Sequence, residues 1–152
     1  MATKPMRVRT DTLMRRIFKA SALDELLRQN EASLGQESFT ECLDALCQGK
    51  RMIPEQAIRR AEIDRSYGHQ LFNGTRQPSR DKVLQLAFGL RLTVDEAQRL
   101  LRAADKSPLY PRLKRDAVVL FALNKSLSIL ETQNLLSGVG LTPLGGASKH
   151  VT

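Results

Sequence analysis

Apolar residues recur at helical spacing along almost the whole chain. The segment TDTLMRRIFK places its apolar residues on one face, which is the period of an amphipathic helix. Similar stripes follow in ALDELLRQN, where Ser21 is the expected N-cap, and in SFTECLDALCQG, where Gly49 is the expected stop. No segment shows the alternation of a half-buried strand. The pattern therefore predicts an all-α fold.

The C-terminal half of the chain contains an internal repeat. Residues 80–109 and 115–144 match at eleven of thirty positions with a constant offset of 35. In each copy a hydroxyl residue, Thr93 or Ser128, is followed three positions later by Glu, which is the capping box of a helix N-terminus. The alternative is a chance likeness between two Leu-rich hairpins, which the matched caps and Pro-Leu exits disfavour. The repeat predicts two similar helical hairpins stacked on each other.

The segment before the repeat, residues 53–79, reads IPEQAIRRAEIDRSYGHQLFNGTRQPS. The pattern predicts a helix from Pro54 to Ala61, a turn at 62–64 and a second helix from Arg65 to Asn73. This segment resembles the helix-turn-helix of the Cro/lambda-repressor-like (XRE-type) DNA-binding family, including the exit NGTRQPS. The resemblance covers residues 38–104 and implies further helices at 39–48, 79–90 and 93–104.

Three positions depart from the family pattern. The turn holds Glu62 where the family normally has Gly, so a residue with a Cβ must accept a positive φ. Ile58 stands where the first motif helix normally has Ala, and Gly68 stands where the second normally has a β-branched residue. Because these positions touch across the helix crossing in this family, the exchange keeps the summed volume. We therefore predict that Ile58 packs directly over Gly68, with Ile63 anchoring the turn and Leu71 in the core.

The resemblance also implies which residues meet DNA. The outward face of the second helix would read base edges in the major groove, where Arg suits guanine and Gln suits adenine, with Asp64 as the N-cap of that helix. The expected base contacts are Arg65, Ser66, His69 and Gln70. The expected phosphate contacts are Pro54 and Glu55, through amides at the start of the first helix, and Tyr67, Thr75, Arg76, Gln77 and Arg80. A structural role for Arg80 is equally expected, because its repeat counterpart Arg115 lies outside the motif.

The charge balance indicates an anionic partner. The 152 residues include 24 Lys and Arg against 16 Asp and Glu, a formal net charge of +8, and nucleic acid is the first partner that this excess favours. The alternative is a basic protein whose polar helix face is merely solvated. The clustering of Arg65, Arg76 and Arg80 around one turn favours DNA, and the scarcity of aromatic residues makes RNA the weaker expectation.

Other chemistry is not indicated by the sequence. Cys42 and Cys47 lie five residues apart in one predicted helix, so they suit neither a disulfide nor a shared metal, and buried thiols in a reducing cytoplasm are expected. There is no Gly-rich phosphate loop and no nucleophile beside a base, so neither an enzyme nor a cofactor is expected. No signal peptide and no run of about 18 apolar residues is visible, which predicts a cytoplasmic protein of bacterial or phage origin, associated with the nucleoid, without a membrane partner.

The expected function is sequence-specific binding of double-stranded DNA by a homodimeric transcriptional regulator that acts by occupying its operator. The duplicated hairpin at 93–144 is the expected dimer surface, because its apolar run at 118–123 is richer than one buried helix face requires. The alternative is an adaptor that binds a protein partner through residues 1–37 and 110–144. The predicted parts are an N-terminal basic arm with helices at 1–37, a helix-turn-helix domain at 38–104, a helical hairpin at 105–145 and a disordered tail at 146–152.

Overall fold

The structure, a computed structural model, describes residues 7–146, and this part of the chain is helical without a strand. The all-α prediction is confirmed. None of the described helices is long and apolar enough to cross a membrane. The tail beyond Gly146 and the first six residues of the predicted basic arm lie outside the described range. The helices are α1 (Thr10–Lys19), α2 (Leu23–Gln29), α3 (Phe39–Gly49), α4 (Pro54–Arg60), α5 (Arg65–Asn73), α6 (Arg80–Gly89), α7 (Val94–Ala103), α8 (Lys114–Asn124) and α9 (Ile129–Gly138).

The chain divides into two compact units after Gln36. The N-terminal unit contains α1 and α2, and neither helix buries any residue. Most of its large apolar side chains are exposed, with Phe18 77% and Leu23 66% exposed. The expected N-cap at Ser21 is wrong: α2 begins after Ala22, which makes no side-chain cap bond. Acidic residues in the first turn of α2 complement the helix dipole instead.

The second unit, from Glu37 onward, contains the hydrophobic core. Its first helix, α3, starts with a capping box in which Ser38 accepts from the Glu41 amide and Glu41 accepts from the Ser38 amide. Helix α3 packs against α5 and α7, while α4 packs against α5 and α6. The core between them is apolar and closely filled, and its fully buried side chains include Leu43, Ile58, Leu71, Leu84, Leu86, Leu100 and Leu101.

Most helices of this unit end at a residue with left-handed backbone. The non-glycine positions are Arg51, Glu62, Arg91, Asp105 and Ser126, with φ between 53° and 61°. The amide of the following residue then donates to the carbonyl five residues earlier, as from Met52 to the Cys47 carbonyl, which is the bond of a Schellman motif. The sequence therefore tolerates the conformational cost of a Cβ at Glu62, as the turn prediction requires.

The internal repeat forms two helical hairpins, α6–α7 and α8–α9. Both second helices begin with the predicted capping box, at Thr93 and at Ser128. Contacts between α6 and α9 and between α7 and α8 hold the hairpins together. The prediction of two stacked hairpins therefore describes the observed packing.

The hairpins are joined by two reciprocal ion pairs. The guanidinium of Arg80 donates to both carboxylate oxygens of Asp116 at 3.0 and 2.9 Å, and Arg115 donates to both oxygens of Asp81 at 2.8 and 2.9 Å. Each arginine also donates to two carbonyls in the exit segment of its own hairpin. An exchange of identical contacts between two like units is the signature of two-fold symmetry. The repeat therefore has an internal pseudo-two-fold arrangement.

The exit segments of the two hairpins are held by matching glutamines. Gln98 donates to the carbonyl and accepts from the amide of Leu109, and Gln133 makes the same pair of bonds with Leu144. These bonds explain why both copies carry Gln eleven residues before the exit Leu. The shared Pro-Leu exits are therefore part of one repeated structural unit.

Candidate nucleic-acid interface

Helices α4 and α5 are joined by a four-residue turn, Ala61–Asp64. Ile63 is buried in the turn, and its amide donates to the Ile58 carbonyl at 3.2 Å, which closes the end of α4. Asp64 is the N-cap of α5, as predicted, because its carboxylate accepts from the Tyr67 amide at 3.1 Å. The turn thus fixes the direction in which α5 leaves α4.

The crossing of α4 and α5 is set by Ile58 and Gly68. A Cβ placed on Gly68 would lie 2.5 Å from Cγ2 of Ile58, far inside van der Waals contact. Both residues are buried, and so is Leu71 one turn further along α5. The structure therefore places Ile58 directly over Gly68, as the volume argument predicts. With this face of α5 packed inward, the opposite face is turned to solvent.

The four expected base readers share that outward face of α5. Arg65 and Ser66 are exposed, and His69 and Gln70 are partly exposed. Their spacing, two adjacent residues followed by two more one turn later, places them together on one side of a helix. The arrangement offers a guanidinium, a hydroxyl, an imidazole and an amide, which are the groups that hydrogen-bond base edges.

Glu55, at the start of α4, holds two of these side chains. Its carboxylate accepts from Nε of Arg65 at 2.9 Å and lies 2.9 Å from Nε2 of His69. The hydrogen bond with His69, followed by that with Arg65, lowers the pKa of Glu55. Sequence reasoning placed Glu55 among the phosphate contacts and missed this role. Because a carboxylate repels phosphate, the predicted phosphate contact of Glu55 concerns its backbone amide alone, whereas Pro54 has no amide hydrogen to donate.

A second group of side chains surrounds Tyr67. The guanidinium of Arg76 lies 4.7 Å from the centroid of the Tyr67 ring, and Nζ of Lys82 lies 5.6 Å from it. Arg76 also donates from Nε to the Gln70 side chain at 2.9 Å. Tyr67 is partly buried and packs against the hydrophobic core. The Tyr67 ring therefore holds the guanidinium of Arg76, which belongs to the loop after α5, beside the outward face of α5.

The loop after α5 begins at Gly74, whose φ of 83° is left-handed. The Thr75 amide donates to the Asn73 side chain at 2.9 Å, which shapes the start of the loop. Thr75, Arg76 and Gln77 are all exposed. The structure thus brings three of the expected phosphate contacts to the edge of the outward face of α5.

Arg80, one of the expected phosphate contacts, is hydrogen-bonded within the protein instead. Its side chain is 24% exposed, and it donates to Asp116 and to the Ser107 and Pro108 carbonyls. Its counterpart Arg115 makes the equivalent bonds. The structural role that was expected for Arg80 is therefore the one observed. Its donors are already hydrogen-bonded to Asp116 of the other hairpin and to the exit segment of its own hairpin.

The two cysteines lie inside the core of the second unit, behind this surface. Burial raises the pKa of Cys42 to about 12 and that of Cys47 to about 11, so both thiols are protonated at neutral pH. Within residues 7–146, no group of three or more His, Cys, Asp and Glu side chains is arranged to hold a metal ion.

Comparison of the chain with protein-family models, with curated proteins and with solved structures gives no match. The function is therefore argued from the residues and their geometry.

Proposed function

We propose that α3 to α7 form a lambda-repressor-like helix-turn-helix domain through which the protein binds specific sequences of double-stranded DNA. The observation that carries the proposal is the outward face of α5. Gly68 and Leu71 pack inward, so Arg65 and Gln70 stand on the opposite, solvent-facing side of this short helix, with Arg65 exposed and Gln70 partly exposed. In the proposed complex this helix enters the major groove, with Ser66 and His69 reading the adjacent base edges.

The side chains around α5 support this assignment. Glu55 restrains Arg65 before binding, which lowers the entropy lost when the guanidinium meets a guanine. Arg76 stands on the Tyr67 ring at the edge of the face, where it and its neighbours Thr75 and Gln77 would contact the phosphate backbone. The net charge of +8 attracts the duplex without regard to sequence.

The proposed regulator works by occupying a DNA site and performs no reaction. A two-fold dimer would place two copies of α5 in major grooves about one helical turn, roughly 34 Å, apart, and its operator would be an inverted repeat. The cytoplasm and its nucleoid are the proposed location, because that is where the DNA partner is found.

The experiment is selection of bound sequences from a pool of random duplexes at about 0.15 M salt, where non-specific phosphate binding is weakened. The expected result is an enriched inverted repeat. Arg65→Ala should then lose about 1–3 kcal/mol of binding free energy and relax the preference at one base position of each half-site.

The matched control for Arg65→Ala is Arg112→Ala, because Arg112 is exposed between α7 and α8 and its loss removes the same charge away from α5. It should weaken binding to all sequences slightly and equally. Absence of enrichment, or equal effects of the two substitutions, would contradict the proposal.

The second candidate function is an adaptor that binds a protein partner. The observation in its favour is the apolar surface of the N-terminal unit, where Phe18 and Leu23 lie in solvent. If the DNA selection gives no enrichment, Phe18→Glu becomes the informative variant, since it should abolish binding of a partner to this unit. An adaptor that is unaffected by Phe18→Glu would use another surface, and this candidate would fail in its present form.

A further inference from the structure

The outer face of the second hairpin is apolar and open. It consists of Ala117, Val118 and Phe121 on α8, of Leu135 on α9 and of Val139 directly after α9, which line a groove of about 280 Å³. Phe121 is 53% exposed, Val139 is 49% exposed and Leu135 is 37% exposed. Apolar side chains grouped in this way are typical of a surface that binds a protein.

The first hairpin shows what such a face does when it is covered. The positions equivalent to Val118, Phe121 and Leu135 are Val83, Leu86 and Leu100, and all three are fully buried. In that hairpin α4 packs on α6 and α3 packs on α7. No described helix of the second unit packs in the same way on the outer face of α8–α9.

The charges along this face are arranged at opposite ends. Lys114 shares a stripe of α8 with Val118 and Phe121, at spacings of four and three residues, and lines the groove. Glu131 lies four and eight residues before Leu135 and Val139, at the start of α9, and is exposed. A short turn reverses the chain between α8 and α9, so the ammonium and the carboxylate mark opposite ends of the hairpin.

We propose that the occupant of this face is a second copy of the chain, with two α8–α9 faces packed antiparallel around a two-fold axis. Such an axis brings Glu131 of each copy to the Lys114 end of the other, so the charge complementarity is satisfied twice. It also places the projecting Phe121 of each copy against the apolar groove of the other. Lys125, 5.8 Å from the Phe121 ring centroid, stays at the rim with its charge in water.

This inference specifies the dimer contact of the proposed regulator, but it concerns the protein without DNA. The two proposals can therefore fail separately. A dimer with no preferred DNA sequence would leave the inference standing and remove the regulator. A sequence-specific monomer would do the reverse.

The experiment is sedimentation equilibrium of the full chain without DNA over a wide range of protein concentration. The expected result is a reversible equilibrium between the 17.0 kDa monomer and a dimer of twice that mass. Phe121→Glu should raise the dimer dissociation constant at least about tenfold, because it buries a charge at the centre of the contact. The control is Leu130→Glu, because Leu130 is 57% exposed on α9 and does not line the groove, so this variant should leave the constant unchanged.

A charge exchange tests the antiparallel arrangement and keeps the proposal falsifiable if Phe121→Glu fails to fold. Lys114→Glu should weaken the dimer, because it faces two carboxylates against each other, and adding Glu131→Lys should restore it. Circular dichroism checks that each variant is folded, since Glu131 also caps α9. A protein that stays monomeric, a dimer dissociated by Leu130→Glu but not by Phe121→Glu, or a charge exchange without recovery would overturn the proposal.

Discussion

The hairpins α6–α7 and α8–α9 have the same internal bonds but opposite outer surfaces. In both, an arginine joins the other hairpin and a glutamine ties down the exit segment. On the outside, Leu86 is fully buried beneath the helices before it in the chain, whereas its counterpart Phe121 is 53% exposed. A repeat unit therefore needs its inner bonds to keep its shape, while its outer face follows whatever packs on it.

The residues that differ between the two copies support this conclusion. Gly89 in the covered hairpin leaves no room for a side chain, since an added Cβ would lie 2.8 Å from Cβ of Ala61. Its counterpart Asn124 is exposed, and so is Lys125, the counterpart of the buried Leu90. Divergence is thus found where α4 packs against the first hairpin.

The two hairpins should differ most in the unfolding free energy that is lost when the outer apolar side chain of each is truncated. Leu86→Ala should cost about 2–5 kcal/mol of unfolding free energy, because it opens a cavity under α4. Phe121→Ala should cost less than about 1 kcal/mol in the monomer, because the ring is half in solvent. Urea unfolding at a protein concentration that keeps the chain monomeric measures both. Equal losses would show that the two outer faces are buried alike.

The two reciprocal ion pairs should differ less in the unfolding free energy that is lost when the carboxylate of each is removed. Asp116→Ala leaves Arg80 without its partner in a nearly closed site, where the Asp116 side chain is 3% exposed, and should cost about 3 kcal/mol. Asp81→Ala should cost less, because the Asp81 side chain is 22% exposed and water can replace it. Urea unfolding of both variants tests the order, and a larger loss at Asp81 would argue against burial as the cause.

The ion pair between Asp81 and Arg115 predicts that the free energy of unfolding depends on pH. Burial raises the pKa of Asp81, but hydrogen bonds from Arg115 and from the Gly145 amide outweigh it and leave the pKa below its usual range. Since the folded pKa is the lower one, the stabilisation is present above about pH 3.9 and is lost as the pH falls through the folded value. Asp81→Asn should therefore flatten the acid side of the curve of unfolding free energy against pH.

A smaller difference in stability between the two hairpins is expected at the position where α6 packs closely against α4. Gly89→Ala should destabilise by about 1–3 kcal/mol, because the methyl group meets the backbone of α4, which cannot move aside. At the equivalent position Asn124→Ala should stay within about 0.5 kcal/mol of the wild type. Thermal unfolding monitored by circular dichroism compares them. A neutral Gly89→Ala would mean that α4 is loosely held.

Much of the helical pattern could be predicted because its signals are local. Helical spacing, Pro54, Asp64 and the hydroxyl-to-Glu caps each act within a few residues, and α1 and α5 have the predicted bounds. The pairing of Arg80 with Asp116 could not be derived in the same way. It joins residues 36 positions apart, and the repeat indicated only that Arg80 and Arg115 had one role in common.

The candidate interface was predictable as a face but not as a network of bonds. The resemblance to the helix-turn-helix family implies that positions 58 and 68 touch, and the exchange of volume between Ile58 and Gly68 then indicates which side of α5 is inward. The bonds of Glu55 with Arg65 and His69 depend on how α4 and α5 cross, so no spacing rule indicates them. The phosphate contact predicted for Glu55 concerned its backbone amide, and the bonds of its carboxylate with Arg65 and His69 were not predicted.

The smallest effect is expected at the caps, where the two hairpins should behave alike. Thr93 and Ser128 each accept from the amide three residues later at 3.2 and 3.1 Å, and both are exposed, so their contribution depends on the helix start and not on what covers the hairpin. Alanine at either position should cost about 1 kcal/mol. Glycine should restore part of the loss at both, because it keeps the N-cap backbone and lets water reach the free amides. Chemical denaturation of the four variants measures this, and a loss at Thr93 several times that at Ser128 would mean that the cover of the first hairpin extends to its cap.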